Sequence, residues 1–127
     1  MTTMPSQVAL QLADAIVARD FAAARELLHP EIDFRAMTPN RIWEADGPDD
    51  VESHLRAWLS DPDEEITSVE ATEPEPIEDT LRVGWRVRGS DAEGPFVYEQ
   101  QAYVRGDGGT VEWMRVFCSG FRRPDGA

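Results

Sequence analysis

Few side chains in this sequence have the chemistry for acid–base catalysis, and Glu99 and His54 are the best candidates. Glu99 stands in a predicted strand, EQQAY, where an inward carboxylate would act as a general base with a pKa raised by burial. His54 stands in a predicted helix and could exchange protons with it. Each residue also has a structural interpretation. Glu99 could pair with an arginine, and His54 could bond a backbone carbonyl.

Other classes of chemistry are excluded by missing residue types. All twelve basic residues are arginine, so Schiff-base catalysis, covalent pyridoxal phosphate and a Walker phosphate loop cannot occur. The single cysteine, Cys118, cannot form an internal disulfide or a thiolate zinc cluster. The glycine-rich segment at 106–110 separates two strands and is predicted to be a hairpin turn. We therefore expect no cofactor and no metal.

The net charge of −13 argues against two classes of partner, nucleic acid and anionic membranes. Such a surface repels nucleic acid and anionic membranes. The acidic run that contains Asp61, Asp63, Glu64 and Glu65 is predicted to be solvated surface. The N-terminus lacks the basic region of a signal peptide, and no apolar run reaches the roughly 18 residues of a membrane span. A cytoplasmic protein is expected.

The elements that must position these residues follow from the hydrophobic pattern. Three helices are predicted in the N-terminal half, the second capped by Asp20 and the third opened by Gly47 and Pro48. Alternation predicts one strand at EIDFRAM, before the third helix, and four strands after it. The order indicates an α+β fold, and two long strands after a helical half predict a curved antiparallel sheet wrapped around a helix.

The last hairpin can be placed in register if its turn is centred on Asp107 and Gly108. Gln101 would then face Met114, and Glu99 would face Val116, both pairs pointing inward. The opposite face would carry aromatic residues and an arginine, a composition typical of protein interfaces. We expect this face to form a homodimer through Phe96, Tyr98, Trp113, Arg115 and Phe117.

Three segments, RDFAAARELLHPEIDFRAM, GPDDVESHLRAW and EQQAYVRGDGGTVEWMRVF, resemble the SnoaL-like branch of the nuclear transport factor 2-like superfamily. The resemblance covers nearly the whole chain. It implies a cone-shaped barrel, a curved sheet around a long helix, with a pocket at the wide end. The length predicts a single domain, 1–127, and we expect about 122–127 to form a flexible tail. The catalytic set of ketosteroid isomerases is missing, because Leu12, Ala36 and Gln101 stand at its tyrosine, base and acid.

The expected function is the binding of a small apolar or aromatic molecule, without an identified reaction. One alternative is a lyase, isomerase or cyclase that uses Glu99 as acid or base on a cyclic or polyketide-like substrate. Another is a dimeric assembly module without a ligand. The expected pocket is lined by Phe34, Trp43, Trp58, Trp85, Gln101, Tyr103, Met114, Val116 and Cys118.

Overall fold

The N-terminal half of the chain supplies three helices in the computed structural model, which describes residues 5–107 and 109–123. Asp20 caps the second helix, since its Oδ1 accepts a hydrogen bond from the backbone N–H of Ala23 at 3.1 Å. Gly47, at φ 85°, turns the chain into the third helix, which begins with a proline. Both predicted starts are confirmed. The helices are α1 Pro5–Val17, α2 Phe21–Glu26 and α3 Pro48–Leu59.

Seven strands form one sheet, and two of them are short strands that the sequence did not predict. The segment containing Ile42 and Trp43 was expected to be a connection, but it forms a hairpin with the first strand around Asn40 at φ 66°. The second short strand, Glu75–Ile77, is far from this hairpin and pairs with the fifth strand. The strands are β1 Leu28–Thr38, β2 Arg41–Glu44, β3 Glu65–Ala71, β4 Glu75–Ile77, β5 Thr80–Asp91, β6 Gly94–Asp107 and β7 Thr110–Cys118.

The sheet is curved and mixed, with strand order β2-β1-β7-β6-β5-β3 and β4 paired to β5. The prediction of an antiparallel sheet is wrong at one place, because β1 and β7 are parallel, with Ala36 opposite Val116. These two strands come from opposite ends of the chain, so no local turn specifies their direction. The strand path ends at β2 and β3 in the described residues, and the sheet therefore remains an open cone rather than a closed barrel.

The hydrophobic core lies between α1 and the concave face of the sheet. Leu12 and Ile16 of α1 are fully buried, as the helical spacing predicted. Trp85 from β5 and Met114 from β7 are also fully buried there. None of the described helices is both long and apolar enough to cross a membrane.

The predicted register of the last hairpin is wrong by three residues. Gln101 lies opposite Phe117, not Met114. Asp107 pairs with Thr110, so the turn comes one residue later than predicted. This change alone shifts the register by two residues, which leaves each side chain of β6 on its predicted face of the sheet. An irregularity between Arg105 and Gly106 shifts the register by one more residue. Because the total shift is odd, the side chains of β6 lie on the opposite faces from those predicted. Gly108 of the predicted turn lies outside the described residues.

The end of the described chain is attached to the sheet. Arg122 exchanges two backbone hydrogen bonds with Val97, of 2.9 and 2.8 Å. Arg123 forms an ion pair with Asp91 at 3.0 Å. Two residues of the predicted tail therefore belong to the fold, and residues 124–127 lie outside the described part.

Candidate functional site

A cavity of about 350 Å³ opens between α3, the strand β6 and the segment that follows β7. We call it the aromatic cavity, because four of its lining residues are aromatic and most of the others are apolar. Its lining residues are Thr38, Pro39, Trp43, Ala57, Trp58, Glu64, Tyr98, Gln100, Cys118, Gly120 and Phe121.

Two pairs of rings shape the walls of the aromatic cavity. Trp43 from β2 and Trp58 from α3 meet nearly at right angles, with centroids 5.5 Å apart and planes at 83°. Phe121 stacks on Tyr98, with centroids 5.0 Å apart and planes at 11°. Phe121 also stacks on Phe96 at 4.4 Å, which holds the C-terminal segment against the sheet. The walls are thus built from four separate segments of the chain.

Several polar groups around the cavity already have partners within the protein. Trp43 Nε1 donates to Thr38 Oγ1 at 2.7 Å, and the Tyr98 hydroxyl donates to the backbone carbonyl of Trp58 at 3.1 Å. The buried Gln100 accepts a hydrogen bond of 2.7 Å from Trp85 Nε1. These bonds fix the orientation of the walls and leave those donors occupied.

Two buried polar atoms of the lining, Trp58 Nε1 and Glu64 Oε1, have no hydrogen-bond partner among the described residues. One is a donor and the other an acceptor. A buried polar atom without a hydrogen bond costs about 1–3 kcal/mol, so such atoms are uncommon away from functional sites. Both atoms belong to residues that line the cavity.

Glu64 is the carboxyl with the most unusual environment in the described chain. Its burial, and then the nearby charges of Asp61, Asp91 and Asp63, raise its pKa to about 7. Burial and the charge of Glu64 together raise the pKa of the Tyr98 hydroxyl, which places the two groups in one electrostatic environment. A carboxyl that titrates near neutral pH can donate or accept a proton under physiological conditions.

Sequence reasoning missed Glu64, because it belongs to the acidic run that was predicted to be solvated. Glu64 and Ile66 are half-buried, whereas Glu65 between them is exposed. The alternation of the predicted strand ITSVEAT, extended two residues toward the N-terminus, would have placed Glu64 on the same side as Ile66. That extension is the only signal in the sequence that separates Glu64 from its acidic neighbours.

The prediction that Glu99 faces the cavity is wrong. Its side chain lies on the outer face of the sheet, where Arg86 donates to it at 2.9 Å. His54 packs behind the cavity wall, with its ring 5.0 Å from that of Trp43 and 6.3 Å from that of Trp58, and its Nε2 donates to the backbone carbonyl of Glu44 at 2.6 Å. Each residue therefore has the structural partner that the sequence left open as an alternative, and the two do not share a site. The reason is the odd register step in β6, which exchanges the two faces of that strand.

The predicted pocket residues divide into three groups. Trp43, Trp58 and Cys118 line the aromatic cavity, and burial raises the pKa of the Cys118 thiol. Phe34 lies behind it, with its ring 6.4 Å from that of Trp58. The other five do not line it: Trp85, Met114 and Val116 are buried in the core, and Gln101 and Tyr103 lie on the outer face.

The predicted interface set is also divided by the register. Phe96 and Tyr98 are only 1% and 2% exposed and face the core, so their assignment to the outer face is wrong. Trp113, Arg115 and Phe117 do lie on the outer face, where the guanidinium of Arg115 is 4.6 Å from the centre of the Trp113 ring. Within residues 5–107 and 109–123, no group of three or more His, Cys, Asp and Glu side chains is arranged to hold a metal ion.

No protein-family profile and no curated protein matches this chain in sequence. Solved structures do match in shape. A nuclear transport factor 2-like protein from Burkholderia thailandensis has a TM-score of 0.74 at 18% identity, with 92% of each chain covered. A protein of unknown function with the same description, from Cytophaga hutchinsonii, has a TM-score of 0.68 at 17% identity, covering 91% of this chain and 99% of its own.

A third solved structure is a complex with a small molecule. It is a protein from Catenulispora acidiphila with a ketosteroid isomerase-like fold, in complex with trimethylamine. Its TM-score is 0.65 at 14% identity, with 90% of this chain and 85% of that chain covered. At such identities the likeness of all three structures concerns the fold.

Proposed function

We propose that this protein, which has the nuclear transport factor 2-like fold, binds a small organic molecule in the aromatic cavity. The fold places an open sheet around α1 and leaves a space at one end of the cone, beside α3. The trimethylamine complex of the Catenulispora acidiphila protein supports the proposal, because it is a small-molecule complex of the same architecture.

One observation carries the proposal: two residues that line the aromatic cavity each have a buried polar atom, the donor Trp58 Nε1 and the acceptor Glu64 Oε1, that no group of the described residues satisfies. A cavity of about 350 Å³ is of the size that small-molecule sites have. Apolar walls with a few convergent polar atoms bind by burial and select by hydrogen bonding. A ligand that meets both atoms removes the cost of leaving them unpaired.

The test fills the cavity without removing a polar group. Ala57 lines the cavity from the exposed side of α3, and Ala57→Phe places a ring in it. The matched control is Ala22→Phe, at an exposed position of α2 outside the cavity lining. The probe is N-phenyl-1-naphthylamine, a neutral dye that fluoresces in apolar surroundings. We expect the wild type and the control to bind one dye per chain and Ala57→Phe to bind at least about tenfold more weakly. Equal binding by all three proteins would contradict the proposal.

Acid–base catalysis is the second candidate function, with Glu64 in the role that the sequence predicted for Glu99. It is favoured by the pKa of Glu64, which burial raises to about 7 and which suits a general acid or base near neutral pH. A lyase, isomerase or cyclase would use such a group on a ligand held against the aromatic walls. The carboxyl titration of Glu64, followed by NMR, tests this candidate. A midpoint near that of an ordinary glutamate would remove its support.

We further propose that the outer face of the sheet is the interface of a homodimer, through a set of residues that differs from the set predicted from the sequence. Met37, Ile42 and Phe117 are 51, 67 and 42% exposed and lie together with Arg35 and Arg115 at one end of that face. Aromatic and apolar groups beside arginine are typical of interface centres, and a second copy offers the same mixture of groups.

Light scattering tests the dimer. We expect a wild-type dimer that Phe117→Glu converts to a monomer, because the charge would be desolvated at the interface. Ile77→Glu is the control, since Ile77 on β4 is also 42% exposed. A monomeric wild type, or dissociation by both substitutions alike, would contradict this proposal.

A further inference from the structure

We infer that the ligand of the aromatic cavity is a small organic cation, a quaternary or protonated amine that also carries an oxygen acceptor; this rests on the proposed function. Three features of the cavity support it independently of one another. They are the arrangement of its aromatic rings, the sign of its charged groups, and the hydrogen-bonding character of its unpaired donor.

Aromatic rings from four segments of the chain line the cavity, and aromatic rings are groups that bind organic cations. The faces of aromatic rings carry partial negative charge and attract ammonium groups that lie within about 6 Å of the ring centre. Trp43 and Trp58 stand nearly at right angles, and Tyr98 and Phe121 add a further, stacked wall. Trp43 already takes part in such a contact, because the guanidinium of Arg41 lies 3.5 Å from the centre of its ring.

The charges near the cavity favour a cation and disfavour an anion. Glu64 is the one charged group among the described lining residues, and none of them is basic. Asp61 and Asp63 add negative charge from the segment that joins α3 to β3. Asp91 contributes too, although its ion pair with Arg123 compensates for part of its charge. The guanidinium of Arg41 opposes them from its place on the Trp43 ring, but Arg41 is not a lining residue. An anionic ligand would meet repulsion from the carboxylates.

The unpaired donor requires a hydrogen-bond acceptor on the ligand, which a simple alkylammonium ion lacks. Trp58 Nε1 has no acceptor among residues 5–107 and 109–123 and can only donate. A ligand with a hydroxyl or carbonyl oxygen near its cationic group would accept from Trp58 while its charge lies near Glu64. The site therefore selects for an amino alcohol or a similar small molecule, not for a simple alkylammonium ion.

Binding of a cation must be coupled to the ionisation of Glu64. Asp61 and Asp63 from the loop, Asp91 from β5 and Tyr98 from β6 act on Glu64, and the pKa of about 7 keeps it half protonated at neutral pH. Only the ionised form attracts the ligand, so the apparent affinity follows the ionised fraction. With that pKa, the ionised fraction rises about tenfold between pH 6 and pH 8, and the apparent affinity rises with it.

The experiment compares two probes of the same shape. Choline carries a trimethylammonium group and a hydroxyl, and 3,3-dimethylbutan-1-ol is its neutral carbon isostere. Binding is measured by calorimetry and by displacement of N-phenyl-1-naphthylamine at pH 6, 7 and 8. We expect choline to bind about tenfold more tightly at pH 8 than at pH 6. The alcohol should bind at least about tenfold more weakly than choline at pH 8, with no pH dependence.

Variants assign the effect to the carboxyl of Glu64. Glu64→Gln removes one charge from the cavity, and Glu65→Gln removes one from the adjacent exposed position. We expect Glu64→Gln to weaken choline binding and abolish its pH dependence, and Glu65→Gln to keep both. Trp58→Phe keeps a ring but removes the donor, so it should lower the affinity for choline more than for tetramethylammonium.

Two kinds of failure can be told apart. If the dye binds in the cavity but choline binds no better than the alcohol, or binds without pH dependence, the cation inference is overturned and the proposed function stands. If Ala57→Phe leaves dye binding unchanged, the proposed function falls as well. The pH dependence of the wild type needs no variant, so the inference remains testable even if Glu64→Gln does not fold.

Discussion

Two glutamates on opposite sides of the sheet show how differently its two faces use charge. On the outer face, Glu99 accepts hydrogen bonds from Arg86 at 2.9 Å, and both side chains are partly exposed. On the inner side, Glu64 has one buried oxygen without a partner and a pKa raised by burial. The first is a structural acid. The second has a hydrogen-bonding capacity that the proposed function assigns to a ligand.

The outer face repeats the arrangement of Glu99 along its length. Three arginines of β5 pair with acids on neighbouring strands: Arg82 with Glu75, Arg86 with Glu99 and Arg88 with Glu70. Cross-strand pairs of opposite charge stabilise a sheet modestly and keep it soluble. Polar groups at the inner end of the sheet instead meet aromatic rings. The proposed ligand site therefore lies on the inner side, and the proposed dimer interface on the outer side.

The largest expected effect is a difference in stability loss between substitutions of two phenylalanines that the sequence assigned to the same face. Phe96 is 1% exposed and Phe117 is 42% exposed. We expect Phe96→Ala to lower the free energy of unfolding by about 3–5 kcal/mol, because it leaves a cavity in the core. Phe117→Ala should lower it by less than about 1 kcal/mol. Urea denaturation measures both, and similar losses would show that β6 has the register predicted from the sequence.

An intermediate effect is expected from Glu64→Gln, and it depends on pH. The folded protein raises the pKa of Glu64 from the ordinary 4.5 to about 7, so folding favours the protonated form. The stability that Glu64 contributes is complete below pH 4.5 and is lost as the pH rises through 7.

The glutamine variant should therefore gain stability relative to the wild type between pH 5 and pH 8. Because Glu64 is only half-buried and solvent screens part of its charge, we expect a gain of about 1 kcal/mol. Melting temperatures measured across this range test the sign. Glu65→Gln should show no such trend, and a difference that shrinks with rising pH would refute the assignment of Glu64.

The smallest effect is expected from Glu99→Gln on the outer face. The ion pair with Arg86 is partly exposed, and pairs of this kind contribute about 0.2–1 kcal/mol. The loss should shrink in 1 M salt, where exposed charges are screened. Ligand binding in the aromatic cavity should not change. A large loss of dye or choline binding in this variant would place Glu99 back among the functional residues.

Sequence patterns were sufficient for those parts of the fold that depend on neighbouring residues. Asp20 and Pro48 mark the starts of two helices, because capping and proline geometry act within one turn. The alternation in β1, β5 and β7 assigns Phe34, Trp85 and Met114 to the buried face, since the pleat has a period of two. The resemblance to SnoaL-like proteins predicted the fold that the solved structures confirm.

Local sequence patterns could not predict two features that determine the candidate site, the orientation of β6 and the burial of Glu64. Apolar residues occupy both faces of β6, so its orientation depended on a single irregular step beside Gly106. That step turned Glu99 outward and Tyr98 inward, because an odd register shift exchanges every side chain of a strand. Glu64 became a cavity residue only when α3, β6 and the segment around Phe121 came together. Its burial comes from residues remote in sequence, whereas the acidic run around it indicates only exposure.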